Sequence, residues 1–127
     1  MNPAALEWVA KAEGDFTTAG RELRARKNFN YDAVCFHCQQ CAEKYLKAVL
    51  QENDVHIPKI HYLLELLGLI LKFDESFETL RADLDALEDY SVRFRYPGDF
   101  AEKEQAHSAY ESAQTVREFI REKIDIE

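Results

Sequence analysis

Within the first two dozen positions Ala5, Trp8, Val9, Ala12, Phe16, Ala19 and Leu23 form an apolar stripe. They recur at intervals of three and four, the spacing that gathers side chains on one face of a helix with 3.6 residues per turn. The pattern predicts a first helix over 3–26, broken by the polar "KNFN". A second helix is predicted over 31–52, with Val34, Cys35, Cys38, Cys41, Ala42, Tyr45, Leu46 and Val49 inward. Phe36 and Leu50 lie off that stripe. "NDVHIPK" then reads as a connector, because proline and the residue before it resist helix.

The stretch over 61–72 is apolar nearly all round, so a third helix there is expected to be heavily buried. A fourth is predicted from Ser76, a candidate N-cap, and carries Phe77, Leu80, Leu84 and Leu87. It fails at "SVRFRYPGDF", where Pro97-Gly98 is the clearest turn in the chain. Asp99 and Glu102 have capping-box spacing and would open a last helix, with Ala106, Tyr110, Ala113, Val116, Ile120 and Ile124 inward. No alternating run of β-branched residues suggests a strand. The expected fold is all-α, an antiparallel four- to five-helix up-and-down bundle forming one domain over 1–127.

Composition changes the picture in two respects. Sixteen basic against twenty-four acidic residues give a net charge of −8, which argues against a protein that coats extended duplex DNA by neutralising phosphates. A small ligand or a short RNA at one local basic patch stays compatible with it. The first residues, "MNPAALEWVAKAEGDF", have neither the basic start nor the apolar run of a signal peptide, and "HYLLELLGLILKF" is too short for a bilayer. A soluble cytoplasmic protein, with no membrane contact, is the expectation.

Three cysteines at three-residue spacing, in "CFHCQQCAEKYLKA", invite a metal or redox reading. At about 100° per residue they drift along one broad helical face, together with the apolar residues of the second helix. An iron–sulfur run of the bacterial type needs a further cysteine and a proline where Tyr45 and Leu46 stand. A zinc site needs a second ligand pair, and a CxxC redox pair normally follows a strand. The cysteines are therefore expected to be core filler, with no metal and no cofactor.

The same wheel sets His37, Gln40, Lys44, Lys47 and Gln51 in a strip opposite the core. The plain reading is a solvated face, supported by a Glu43–Lys47 ion pair at i,i+4. His61 either caps the third helix or lines a site. Arg93 and Arg95 alternate with Phe94 and Tyr96 before the turn. There they either complement the negative end of a helix or place guanidinium groups and a tyrosine ring for phosphate and base. No Gly-rich phosphate loop and no G-x-S-x-G turn occurs.

In order, "FHCQQCAEKYLKAVL", "IPKIHYLLEL" and "VRFRYPGDF", with Trp8 and the Asp15-Phe16 pair, closely resemble the HEPN domain family. The resemblance covers nearly the whole chain. It implies a helical bundle that commonly dimerises and often acts beside a minimal nucleotidyltransferase in a two-gene, toxin–antitoxin-like module. Some members are RNA-cleaving toxins, and others are thought to bind nucleotides or RNA. The toxins share arginine, four to six residues, then histidine. No arginine of this chain has a histidine at that distance.

The resulting expectation is a dimeric nucleotide- or RNA-binding protein, partner of a minimal nucleotidyltransferase and without the usual RNase motif. Its binding residues would be His37, Gln40, Lys44, Lys47, His61, Arg93, Arg95 and Tyr96. Two alternatives stand beside it: an RNase whose base is His37 or His61, and a pure protein-interaction module.

Overall fold

The computed structural model of the chain describes residues 1–126, and among them there are five α-helices and no strand. α1 spans Pro3–Arg24. Asn2 caps it by accepting the Ala4 N–H at 2.8 Å, and Pro3 occupies the first turn, where no N–H is needed. α1 stops two residues short of expectation, and Asn28 takes a left-handed φ of 52° in the break that follows. α2 spans Tyr31–Glu52 as expected, capped by Asn30, which accepts the Ala33 N–H at 3.0 Å.

α3 spans Leu63–Leu71, shorter at its start than predicted. A 3-10 segment at Glu75–Leu80 runs into α4 (Arg81–Leu87), which a second 3-10 segment, Glu88–Ser91, extends. The cap here is Asp74 and not Ser76, since the Asp74 carboxylate accepts both the N–H and the hydroxyl of Ser76. α5 spans Lys103–Lys123. Its capping box falls one turn later than the predicted pair: Gln105 Oε1 accepts the Glu102 N–H at 2.7 Å.

Long-range hydrogen bonds set the directions. The Asn2 N–H donates to Glu52 at 2.8 Å, joining the start of α1 to the end of α2, so the two are antiparallel. Glu88, just beyond α4, accepts from Leu63 and Leu64 at the start of α3, which makes α3 and α4 antiparallel. Lys123 at the end of α5 meets Asp74 ahead of α4. Asp32 near the start of α2 accepts the Ala101 N–H at 2.7 Å, so α5 runs the same way as α2 and opposite to α1.

The expected helical bundle is thus present, with α2 at its centre. From Cys41 to Leu50 every residue of α2 is buried except Lys44, which is half-buried. Leu50, expected off the core, is wholly inside it. α3 buries Leu63, Leu66, Leu67 and Ile70 but exposes Gly68, so it is one-sided rather than submerged. No helix among the described residues is long and apolar enough to cross a membrane.

Candidate functional site

A helix packed on several sides cannot keep a solvated strip, and the polar residues of α2 turn inward to meet partners. Asp15, on α1, is 9% exposed and sits within its apolar stripe. Its carboxylate accepts from Lys44 Nζ at 2.6 Å and from His37 Nδ1 at 2.7 Å. A buried charge needs such partners, because leaving water without them is costly. The carboxylate can only accept, so the shared proton belongs to His37 Nδ1 and leaves Nε2 as the open nitrogen.

One turn further along, Glu43 is the hub of a second network. It is 4% exposed. Lys47 Nζ and His61 Nδ1 each approach its Oε2 at 3.0 Å, and Gln39 Nε2 donates to Oε1 at 3.2 Å. Gln40 Nε2 donates in turn to Gln39 Oε1 at 2.7 Å. The expected Glu43–Lys47 pair therefore exists, but it is buried rather than solvated. The Lys47 ammonium also lies 5.4 Å from the Trp8 ring centre.

Lys44 from the first network and Gln40, Glu43, Lys47 and His61 from the second line a cleft of about 730 Å³ between α2, the 59–62 connector and the 88–95 segment. The tertiary fold brings Gln40, Lys44, Lys47, His61 and Arg95 to its walls, five of the eight residues expected to bind. His37 lines an adjoining hollow of about 460 Å³, which shares Phe36 and Arg95 with the cleft. Arg93 and Tyr96 line neither. The Arg93 guanidinium packs on the Phe94 ring at 5.1 Å, and Tyr96 is 74% exposed beside the turn.

Sequence reasoning missed Asp15, Gln39, Lys59 and Tyr62 as site residues, and took Glu43 only as a surface partner. Asp15 carried a usable signal. It lies between Ala12 and Ala19 on the apolar stripe of α1, and a carboxylate there needs a cation opposite. Lys59 and Tyr62 carried none, since only the return of the connector along α2 brings them near.

Charge along the cleft is mixed. Lys44 and Lys47 are committed to carboxylates, and Glu88 and Asp89 add negative charge to the wall. Lys59 and Arg95 line the rim, are exposed, and have no carboxylate partner among the described residues. Arg95 Nε donates only to the Ser91 carbonyl.

A separate polar cluster ties α1, α2 and α5 together. Arg117 grips Glu13 through Nε at 2.7 Å and Nη2 at 2.8 Å, while the Tyr45 hydroxyl donates to the same carboxylate. The three cysteines are buried as expected. Burial, with the Asp32 charge nearby, pushes the Cys35 thiol up to about 12, and burial raises Cys38 and Cys41 as well. None is a ready nucleophile. No group of three or more His, Cys, Asp or Glu side chains suited to a metal occurs among the described residues.

The bundle, its buried carboxylate networks and the open cleft above them define an all-helical domain with one face hollowed. The chain belongs to the HEPN family, whose domain model matches residues 5–123. Its fold is similar to that of TT1696 from Thermus thermophilus, a crystal structure with a TM-score of 0.79 at 27% identity. That match covers 97% of this chain and 99% of the other. Among curated proteins, none matches the chain.

Proposed function

We propose that the cleft binds a nucleotide or a short single-stranded RNA, in a protein that works as a homodimer beside a minimal nucleotidyltransferase. The observation that carries this reading is the pairing of exposed, carboxylate-free Arg95 and Lys59 with aromatic walls from Trp8, Phe36 and Tyr62. Such a cleft offers cations for phosphate and rings for a base. Membership of the HEPN family supports the partnership, the two-gene toxin–antitoxin-like setting and the dimer. The three unpaired thiols suit a reducing cytoplasm.

The test is titration with short single-stranded RNA and with nucleotides at rising salt. Binding should weaken as salt rises, and Arg95→Ala should cost about 1.5–3 kcal/mol of affinity. RNA should remain intact, because the arginine–histidine spacing of the family's toxins is missing. If no nucleotide or RNA binds, the protein is an interaction module.

A second reading has its own observation. His37 is oriented by Asp15, and its hollow also receives Arg95, an arrangement of base and cation suited to phosphodiester cleavage. RNA cleavage that vanishes in His37→Ala would favour it.

A further inference from the structure

One face of α2 lines hollows along almost the whole helix. Ala33, Phe36, Gln40, Lys44, Lys47 and Gln51 follow one another at intervals of three and four, so they share one side of α2. All six line hollows. The central one is the cleft of about 730 Å³, and the His37 hollow of about 460 Å³ adjoins it toward the start of α2. A third, of about 590 Å³, adjoins it toward the end, between Trp8, Gln51 and the 56–59 connector. The first and central hollows share Phe36 and Arg95, and the central and third share Trp8, Lys47 and Lys59. They are parts of one trough rather than separate pockets. From Ala33 to Gln51 the helix beneath it rises about 27 Å, at 1.5 Å per residue.

The trough repeats its chemistry at the two places where hollows meet. Phe36 and the exposed Arg95 guanidinium stand at one, Trp8 and the exposed Lys59 ammonium at the other. Each pair offers a ring for a base and a cation for a phosphate. Lys44 and Lys47, by contrast, are neutralised by Asp15 and Glu43. Along α2, Lys47 at the second junction lies about 16 Å from Phe36 at the first. Phosphates of one strand are about 3.4 Å apart when stacked and roughly twice that when extended, so the junctions are about two to five nucleotides apart.

The walls agree with a strand rather than a small molecule. A pocket for a free nucleotide encloses most of its ligand. Here Tyr62 is 62% exposed and Val92 55%, and both free cations stand at the surface. Glu88 and Asp89 line only the central cleft, where their charge directs phosphates away to the two junctions. Asp32, in the first hollow, is taken by the Ala101 N–H. We propose that the three hollows form one trough for a single RNA strand of about four to eight nucleotides, held at both junctions, and not a pocket for a free nucleotide. The proposal rests on the nucleotide- or RNA-binding reading above; it adds the choice between those two ligands and the length of the site.

The experiment measures how UMP and oligouridylates from the dimer to the dodecamer bind the full chain, with AMP and oligoadenylates as a second series. Calorimetry gives the affinity, and the emission of Trp8, the single tryptophan, reports arrival at the second junction. Affinity should rise at least ten-fold from mononucleotide to hexamer, the value of a second charge-assisted contact. It should level off between about four and eight nucleotides. Arg95→Ala and Lys59→Ala, both at exposed positions, should each weaken the hexamer about ten-fold and reduce its salt slope by about 0.7. The double variant should bind the hexamer little better than the mononucleotide. A mononucleotide bound as tightly as the hexamer would overturn the trough and leave a nucleotide pocket, with the binding reading intact. Affinity still climbing at the dodecamer, or a hexamer indifferent to either substitution, would overturn it as well. Failure of every nucleotide and oligomer to bind would remove both the trough and the reading beneath it.

Discussion

Single side chains in this bundle matter most where a charge is held between helices, and Glu13 is the clearest case. Burial pushes its carboxyl up, but the hydrogen bonds from Arg117 and Tyr45 and the charges of Arg117 and Arg121 outweigh it and hold it below the ordinary value of 4.5. A depressed carboxyl contributes stability that is present above its unfolded pKa and is lost as pH falls through its folded one. Chemical denaturation followed across pH should therefore show Glu13→Gln less stable than wild type by about 1 kcal/mol at pH 7. The gap should narrow below about pH 4.5. Parallel curves at all pH values would show that the Arg117 grip contributes nothing. The positions of these residues were partly legible from the chain alone. The cysteines followed the helical wheel into the core because a thiol packs there as a small hydrophobe. The burial of Asp15 and Glu43 was not foreseen, because it depends on what packs over them: His37 and Lys44 from α2 meet Asp15, and His61 from the connector closes over the Glu43–Lys47 pair.

Among the helices, α3 depends on a neighbour for its own beginning. Tyr62 precedes it and supplies no side-chain cap, and the free N–H groups of Leu63 and Leu64 are taken by the Glu88 carboxylate at 2.7 and 3.1 Å. Negative charge is also favourable at that end of a helix. Glu88→Ala should lower unfolding free energy by about 1–2 kcal/mol, measured by urea denaturation. An unchanged midpoint would mean that water replaces the cap without loss. The prediction of a third helix over 61–72 erred at its start for the same reason. Hydrophobic periodicity reports where a helix is useful to the core, whereas its first residue depends on what satisfies the exposed N–H groups. α1 and α2 were better read because Asn2 and Asn30 cap them locally.

At the level of the whole molecule, four of the eight large apolar side chains that are exposed among the described residues, Phe29, Val92, Tyr96 and Phe100, lie in the two segments that lead into α2 and α5. Phe29 is 52% exposed and Phe100 72%, and the Asp32–Ala101 hydrogen bond ties their two segments together. Val92 and Tyr96 are exposed on the stretch between Ser91 and α5 that also carries Phe100. Apolar surface of this kind is usual at interfaces between copies. Light scattering should return a mass near twice 14.8 kDa, and Phe100→Asp should shift it toward the single chain. A wild-type monomer at tens of micromolar, an order-of-magnitude concentration, would sink the dimer.

Helix content, the extent of α2, the turn at Pro97-Gly98 and the burial of the cysteines were all readable along the chain, because periodicity and caps act over a few residues. The composition of the cleft was not. Gln40, Lys44, Lys47, His61 and Arg95 come from three segments that meet only when the 53–62 connector folds back along α2 and the 88–95 segment closes beside it. Whether Lys47 faces water or a buried carboxylate follows from that meeting. A helical wheel gives the direction in which a side chain points, and tertiary packing alone supplies what it points at.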